Sequence, residues 1–574
     1  MEGLFDFESI SAKTDDTEEV DFFPEQYRIG RTKYIVITGG VMSGVGKGVF
    51  SASLGHLLKH YGFSVSQIKI DGYLNYDAGT LNPYRHGEVF VLDDGTECDM
   101  DLGTYERFLS CDLCADNYLT SGKLYSKVLE KERKGDYLGR DVLVIPHVTG
   151  EIKFFIRTLA SSRPYDIVLI EIGGTIGDIE NLHFVEAARE LFVAEGRENV
   201  MFAHVTMLPY NEASGEQKSK PTQHSVKKLL ETGIQPDIVV GRSPKGVAPK
   251  VRQKIALFCN VAQENVISSP DLPSIYALPY VLDLQRLAWL VTQRLKLSMP
   301  IPTNGKSEPP LHSYVEYVQT EGLPLVKIAI TGKYATLKDS YISIVNALEH
   351  SGVALGVRVE PVWVDTTEIA RPEDVERLLP PDTAGVIVPG GFGARGVEGK
   401  IQVIQYARER GLPFLGICYG FHFAVVEFAR HLCGLEDAQT TEVNSRTPHP
   451  VIHLLPEQKK KSRLGGTMRL GGHKVRLDPK SAVAGLYGRT EITERFRHRF
   501  EFNNDYREIF EKQGMRFVGT TPDGAIMQVL ELPGHPYFVA SQFHPEYTSR
   551  PLSPNPLFFG LVRAAALKKE PVTV

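Results

Sequence analysis

Tyr34-Ile-Val-Ile-Thr-Gly-Gly-Val-Met-Ser-Gly-Val-Gly-Lys-Gly48 decides the reading of the first half of the chain. Tyr34 to Thr38 is an apolar, β-branched run of the kind that forms a buried strand. The glycines follow at once, and Val49, Leu54, Leu57 and Leu58 then recur at near-helical spacing. A strand, a glycine-rich loop and a helix in that order build a phosphate cradle. The glycines let backbone N–H groups approach phosphate oxygens, the helix N-terminus favours anions, and Lys47 can neutralise the β and γ phosphates. The loop departs from the common P-loop: five residues separate Gly40 from Gly46, and Gly48 stands where Ser or Thr usually supplies a hydroxyl to the metal. A magnesium ion therefore has to be held elsewhere. Asp101, in Asp99-Met-Asp-Leu-Gly103, and Glu171, closing Asp166-Ile-Val-Leu-Ile-Glu171, are the carboxylates suited to a hard cation that bridges phosphates.

Working outward, further apolar runs at 65–70, 167–170, 200–208 and 238–240 alternate with helical patterns. That alternation predicts an α/β domain on a largely parallel sheet. The stretch from Ser298 to Pro310 is polar and proline-rich and reads as a linker. A second alternating series follows, with strands expected at 326–330, 357–364, 385–388 and 413–417. The expected division is a tail over 1–33, a first domain over 34–297, a linker over 298–322 and a second domain over 323–574.

A chain of 574 residues has room for two domains with cores of ordinary size. A formal charge of -6 gives no whole-chain reason to expect nucleic-acid or membrane binding. Six cysteines are too few for a disulfide framework in a chain this long, which points to a reducing cytoplasm. No apolar span approaches the ~20 residues of a membrane helix, and Met1 is followed by Glu2 and Asp6 rather than by a signal region. The stretch to Arg28 is rich in Asp and Glu and reads as a mobile acidic tail or, alternatively, a partner-binding segment. Cys111 and Cys114 have no second ligand pair and read as ordinary structural cysteines.

The second domain carries Gly416-Ile-Cys418-Tyr-Gly420, where small flanking residues allow the strained elbow that exposes a nucleophile. A helix N-terminus and a nearby His favour the thiolate of Cys418. Gln542-Phe-His544-Pro-Glu546 supplies His544 as the base and Glu546 to orient it. Gly390-Gly391-Phe392-Gly393, after a strand, offers backbone donors for a tetrahedral oxyanion. Back in the first domain, Lys218-Ser219-Lys220-Pro221-Thr222-Gln223 gathers cations, a hydroxyl and an amide round a stiff turn, suited to a triphosphate and sugar.

These residues resemble one family. Gly39 to Gly48, His86-Gly-Glu-Val-Phe90, Asp99 to Arg107, Glu171-Ile-Gly-Gly-Thr-Ile-Gly-Asp-Ile-Glu180 and Lys218 to Gln223 are similar to the synthetase half of the CTP synthases. The C-terminal block is similar to their class I glutamine amidotransferase half. The resemblance implies a P-loop-like, doubly wound parallel sheet followed by an amidotransferase α/β domain. It also implies that ATP phosphorylates O4 of UTP and that ammonia, free or released from glutamine, displaces the phosphate to give CTP.

Carried over by motif, Gly44, Val45, Gly46, Lys47, Gly48 and Val49 would wrap ATP, with Asp271 and Arg242 in nucleotide-contact regions. Asp101 would touch ATP and, with Glu171, hold Mg2+. Ser43, Lys218, Ser219, Lys220, Pro221, Thr222, Gln223 and Lys254 would hold UTP. Asp178, Ile179 and Glu180 match a segment that recognises CTP as feedback inhibitor. Glutamine would be met by Gly391, Tyr419, Gly420, Phe421, His422, Glu442 and Arg499, with Glu442 on its ammonium and Arg499 on its carboxylate. The family also implies GTP as allosteric activator, for which Arg395 is a candidate contact, and a homotetramer without nucleic-acid or membrane partners.

The chain departs from the family at three places. Cys418-Tyr-Gly-Phe-His422 replaces the usual Cys-Leu-Gly-Met-Gln, Asp71-Gly72-Tyr73 the usual Asp-Pro-Tyr, and Asn181 the common Ser. A related amidoligase, a non-glutaminase variant or scaffold with the altered elbow, and a partitioning-type ATPase are the alternatives. The last has no use for Cys418, His544 and Glu546.

Overall fold

The computed structural model describes residues 23–137, 140–299, 311–333, 338–454 and 468–569. Most of the expected acidic tail and residues 300–310 of the expected linker lie outside them, whereas the later part of that linker is not an open connection but holds a helix, His312–Gln319. The described residues form two compact units, one from those of 23–76, 116–272 and 281–299, the other from those of 77–115, 273–280 and 311–569.

The first unit is built on seven strands: β1 (Lys33–Gly40), β2 (Val65–Asp71), β3 (Tyr118–Thr120), β4 (Ile167–Ile172), β5 (Val200–Met207), β6 (Ile238–Ser243) and β7 (Val266–Pro270). Their order is β7-β6-β5-β1-β4-β2-β3, and every pairing is parallel. Each residue of β2 and β4 is buried. That is why these strands read as continuous apolar runs rather than as alternating ones. β1 lies between β4 and β5, so the carboxyl ends of these three strands surround the point where strand order switches, the usual place for a ligand crevice. The sequence reading did not foresee β3, which has only three residues, or β7, whose Val-Ile-Ser-Ser-Pro is half polar. Ahead of β1 the chain is already packed. The Phe23 ring centroid lies 4.0 Å from the Arg157 guanidinium carbon, and the Tyr27 and Tyr34 hydroxyls share a 2.8 Å hydrogen bond.

The main sheet of the second unit has nine strands: β8 (Leu325–Gly332), β9 (Arg358–Asp365), β10 (Thr383–Val388), β11 (Phe414–Ile417), β12 (Arg469–Leu477), β13 (Glu491–His498), β14 (Arg516–Thr520), β15 (Met527–Glu531) and β16 (Phe538–Ser541). The order is β9-β8-β10-β11-β16-β15-β14-β12-β13. From β9 to β16 the pairings are parallel, and from β16 to β13 they are antiparallel. Val386, Phe414, Phe421, Val425 and Phe538 pack into one core layer, and Ile330, Ile387, Leu415, Phe543 and Leu561 into another.

Residues 77–115 belong to this second unit although the resemblance places them in the synthetase half. Arg495 of β13 is fully buried, with Nη1 2.7 Å from Glu106 Oε2, and Tyr547 donates from its hydroxyl to Val89 O at 3.0 Å. A buried guanidinium without that carboxylate would be strongly destabilising, so the segment and the sheet form one folded body.

Candidate active sites

In the first unit, helix α1 (Lys47–His60) starts at Gly46, whose φ of 92° lies in the left-handed region that glycine tolerates. A β-carbon there would also run into Arg242 Nη1. Arg242 in turn lies 3.2 Å from Asp271, which brings both nucleotide-contact candidates to the flank of the loop. Lys47 is buried and donates from Nζ to Gly174 O at 2.6 Å, linking the loop after β1 to the loop after β4. Glu171, buried near the end of β4, lies 3.7 Å from Lys69, which also reaches Asp71 at 3.5 Å.

Asp178 accepts from Thr175 N and Thr175 Oγ1 at 2.7 and 2.6 Å. This closed turn leaves Ile179 and Glu180 exposed. Lys218 to Gln223 leads into helix α2 (Lys220–Leu230), with Pro221 in its first turn. Lys218 and Lys220 are exposed, while Thr222 is buried and donates to Met207 O at 3.2 Å, and Gln223 donates to Ser219 Oγ at 3.0 Å. The segment thus presents its cations and anchors its hydroxyl and amide. Lys254 is exposed on the helix Pro249–Cys259, which packs beside α2.

A buried polar chain escaped the sequence reading. Thr38 Oγ1 lies 2.8 Å from His204 Nδ1, and His204 Nε2 2.8 Å from Ser225 Oγ. Burial, then the Lys47 charge, pushes His204 down to about 3, so it is a neutral hydrogen-bonding link. Its signal was a Thr and a His inside otherwise apolar strands. Asp101 belongs to the second unit. It is half-buried in the first turn of the helix Met100–Leu109, where its N–H is capped by Asp99 Oδ1 at 2.9 Å.

The second unit holds a cavity of about 630 Å3 lined by Cys418, His544, Glu546, Gly391, Glu442 and Arg499, among others. Cys418 follows β11 with φ 52° and ψ -96°, the strained conformation of an elbow, and caps helix α3 (Tyr419–His431). Gly420 is required there because a β-carbon would stand 2.1 Å from Val388 O. His544 Nδ1 is 2.7 Å from Glu546 Oε1. Burial works against the imidazolium, yet the charges of Glu546 and Cys418 outweigh it and hold His544 up to about 10.

The glycine loop is tied down from both sides. Gly393 N donates to Glu442 Oε1 at 2.9 Å, and the Tyr419 hydroxyl donates to Gly393 O at 2.7 Å. Gly391, Glu442 and Arg499 line the cavity, whereas Tyr419, Gly420, Phe421 and His422 are buried in α3 and are absent from its lining. Arg395 is exposed beyond the loop. Two groups were given no role by the sequence reading, although Glu88 lies in the motif His86 to Phe90. Lys400 is buried with Nζ 4.9 Å from the Tyr419 ring centroid, pushed down to about 7 by burial and then by Lys333. Glu88 lines the cavity and is pushed up to about 7 by burial and then by Glu546.

Residues 33–297 match the family model described as CTP synthase N-terminus, and residues 336–564 the model for class I glutamine amidotransferases. The CTP synthase of Thermococcus kodakarensis is 54% identical over 541 residues, which cover 94% of this chain and 99% of that protein. That of Thermosynechococcus vestitus is 50% identical over 535 residues, covering 93% of this chain and 97% of that protein. A solved Trypanosoma brucei CTPS glutaminase domain with bound acivicin is 35% identical, covers 43% of this chain and 96% of that one, and superposes with a TM-score of 0.40.

A parallel sheet with a phosphate-loop signature and a class I amidotransferase unit define a glutamine-dependent synthetase. Relatives of this identity over nearly the whole chain remove the partitioning-type ATPase from consideration. The chain belongs to the CTP synthase family. It is a ligase that uses ATP to aminate UTP to CTP, with ammonia drawn from glutamine, in pyrimidine nucleotide synthesis. Among the described residues, no helix is long and apolar enough to cross a membrane.

Proposed function

We propose that Cys418, His544 and Glu546 hydrolyse glutamine in this chain and that the loop from Ser43 to Val49 serves phosphoryl transfer. The single observation that carries this reading is the Cys418 elbow sharing one cavity with the His544–Glu546 pair. The thiolate attacks the side-chain carbonyl of glutamine. His544 gives its proton to the departing nitrogen, which leaves as ammonia. It then takes a proton from the water that splits the thioester. Glu442 faces the substrate ammonium and Arg499 its carboxylate, while the loop Gly390 to Gly393, whose last N–H is held by Glu442, supplies its other N–H groups to the oxyanion.

At the other site Lys47, Gly44 to Val49, Arg242 and Asp271 hold ATP, and Ser43, Lys218 to Gln223 and Lys254 hold UTP. Transfer of the γ-phosphoryl group to O4 of UTP converts a poor leaving group into phosphate, which ammonia then displaces at C4. Asp101 and Glu171 offer the hard carboxylate oxygens that Mg2+ prefers. The ion, when bound, neutralises phosphate charge.

The exposed turn Asp178 to Glu180 reads the product CTP as feedback inhibitor. GTP activation, a homotetramer and a cytoplasmic location complete the reading, as does a division into a synthetase domain over 34–297 and an amidotransferase domain from 323. The test is a product assay with UTP, ATP and Mg2+, run with glutamine and then with ammonium chloride. CTP from both sources is expected, and CTP from ammonium alone would refute the active glutaminase.

A further inference from the structure

Phe500 O can only accept a hydrogen bond, and it lies 3.1 Å from His422 Nε2. The His422 proton therefore sits on Nε2. The ring is buried, and burial pushes its pKa down to about 4, so at neutral pH it carries that one proton and Nδ1 is bare. Nδ1 has no hydrogen-bond partner among the described residues. The same Nε2–H lies 2.9 Å from one end of the Gln542 amide. That end has to be the oxygen, because the reversed amide would set two N–H groups against each other. The other end, Nε2 of Gln542, is then a donor aimed at Cys418 Sγ, 3.8 Å away. Gln542 is fully buried, and its backbone N–H is held by Gln528 O at 2.8 Å, which fixes the strand end that carries the amide.

From this relay we infer that His422 and Gln542 are positioning residues for the nucleophile: His422 fixes the amide of Gln542 so that its N–H points at the sulfur of Cys418. The inference rests on the reading of Cys418 as the nucleophile. It bears on the thiolate in particular. As a thiol, Cys418 can donate to Arg497 O, 3.6 Å from Sγ. As a thiolate it needs donors instead, and the described candidates are Gln542 and His544. A donor to the charged form favours that form. The other groups facing the relay are Tyr419, whose ring lies 5.9 Å from that of His422, and His498, whose Nδ1 lies 3.1 Å from the same Phe500 O. His498 Nε2 faces Glu501 at 3.5 Å, and Glu501 faces Arg469 at 3.8 Å. The relay also accounts for the departure from the family at this position. A Gln side chain can offer its NH2 to the same two acceptors, so His422 replaces it in kind.

The test uses the full-length protein and the rate at which iodoacetamide alkylates Cys418, followed on its own peptide by mass spectrometry from about pH 6 to 9. Gln542→Met and His422→Phe should each slow alkylation about tenfold at the acidic end and move the profile about one unit to higher pH. His422→Gln, which keeps the donor, should stay within about threefold of the parent. A parent-like profile for Gln542→Met overturns the inference. So does a His422→Phe variant that alkylates like the parent but has a raised KM for glutamine, since His422 would then act on the substrate. If His422→Phe fails to fold, Gln542→Met decides alone. A parent that alkylates as described but hydrolyses no glutamine would sink the proposed function and leave the relay standing.

Discussion

His544 Nδ1 and Glu546 Oε1 are 2.7 Å apart, and this contact fixes which imidazole nitrogen is left to face Cys418. Nδ1 is engaged by the carboxylate, so Nε2 is the atom that handles the proton of the reaction. Glu546→Gln removes the charge that, with Cys418, holds His544 up to about 10 against the pull of burial. Glutamine-dependent CTP synthesis should fall by about 10²-fold or more, because the ring loses both its preferred tautomer and its counter-charge. Ammonium-dependent synthesis, measured in parallel, should change little. A glutamine-dependent rate within threefold of the parent would show that Glu546 does not orient the base.

Cys418→Ala should abolish glutamine-dependent synthesis and spare synthesis from ammonium chloride, most clearly at mildly alkaline pH where more free ammonia is present. The described cysteines other than Cys418 do not line the cavity, so no other thiol can form the thioester. Residual glutaminase above the buffer rate would assign the nucleophile elsewhere.

Lys47→Ala should remove synthesis from both nitrogen sources. Its ammonium crosses from the loop after β1 to Gly174 O and supplies charge where phosphate oxygens would sit. Both rates are expected to fall by about 10³-fold, a cost of about 4 kcal/mol in the transition state. Ammonium-dependent activity near that of the parent would take Lys47 out of the mechanism.

Glu180→Ala should weaken CTP inhibition more than it raises the UTP requirement. Glu180 is exposed on a turn that Asp178 locks from within, so truncation removes a contact without unfolding its support. A contact made only with the product changes one affinity and not the other. An inhibition curve that overlays the parent's would place product recognition at another segment.

Glu501 is buried, and burial, opposed by Arg469, raises its pKa from 4.5 to about 8. The folded state thus binds the proton more tightly than the unfolded chain does. The stability this contributes is fully present below the unfolded value, near pH 4.5, and is lost as pH rises through about 8. Glu501→Gln is neutral at every pH. Its Tm should therefore match the parent's in acid and exceed it progressively up to about pH 9, a comparison read by calorimetry. A Tm difference that does not vary with pH would mean that Glu501 titrates normally.

Local pattern carried much of this protein. The continuous apolar runs at Tyr34 to Thr38 and 167–170, alternating with helical patterns, read as strands of a largely parallel sheet, and a Gly-rich loop or a Gly-x-Cys-x-Gly elbow records its backbone need within a few residues. Hence five of the seven strands of the first sheet, the Gly-rich loop and the Cys418 elbow were legible from the chain alone, while the short β3 and the half-polar β7 were not. The antiparallel half of the second sheet was not, because β12 to β15 carry Arg469, Lys474, Glu494, Arg495 and Gln528 among their apolar residues and break the simple run.

What depended on tertiary structure was every contact between residues distant in sequence. Nothing near Glu106 announces that Arg495 will neutralise it, so the membership of residues 77–115 in the second unit appears only once the chain is folded. Likewise His422 reads as one altered letter in the elbow and Gln542 as one letter of the Gln-Phe-His motif. Only folding sets them 2.9 Å apart, with Phe500 O dictating where the proton lies. A local motif states what the backbone must do at one turn. The polarity of a buried hydrogen bond is decided by the acceptors and donors that other strands bring to it, and those are specified by the packing of the whole unit.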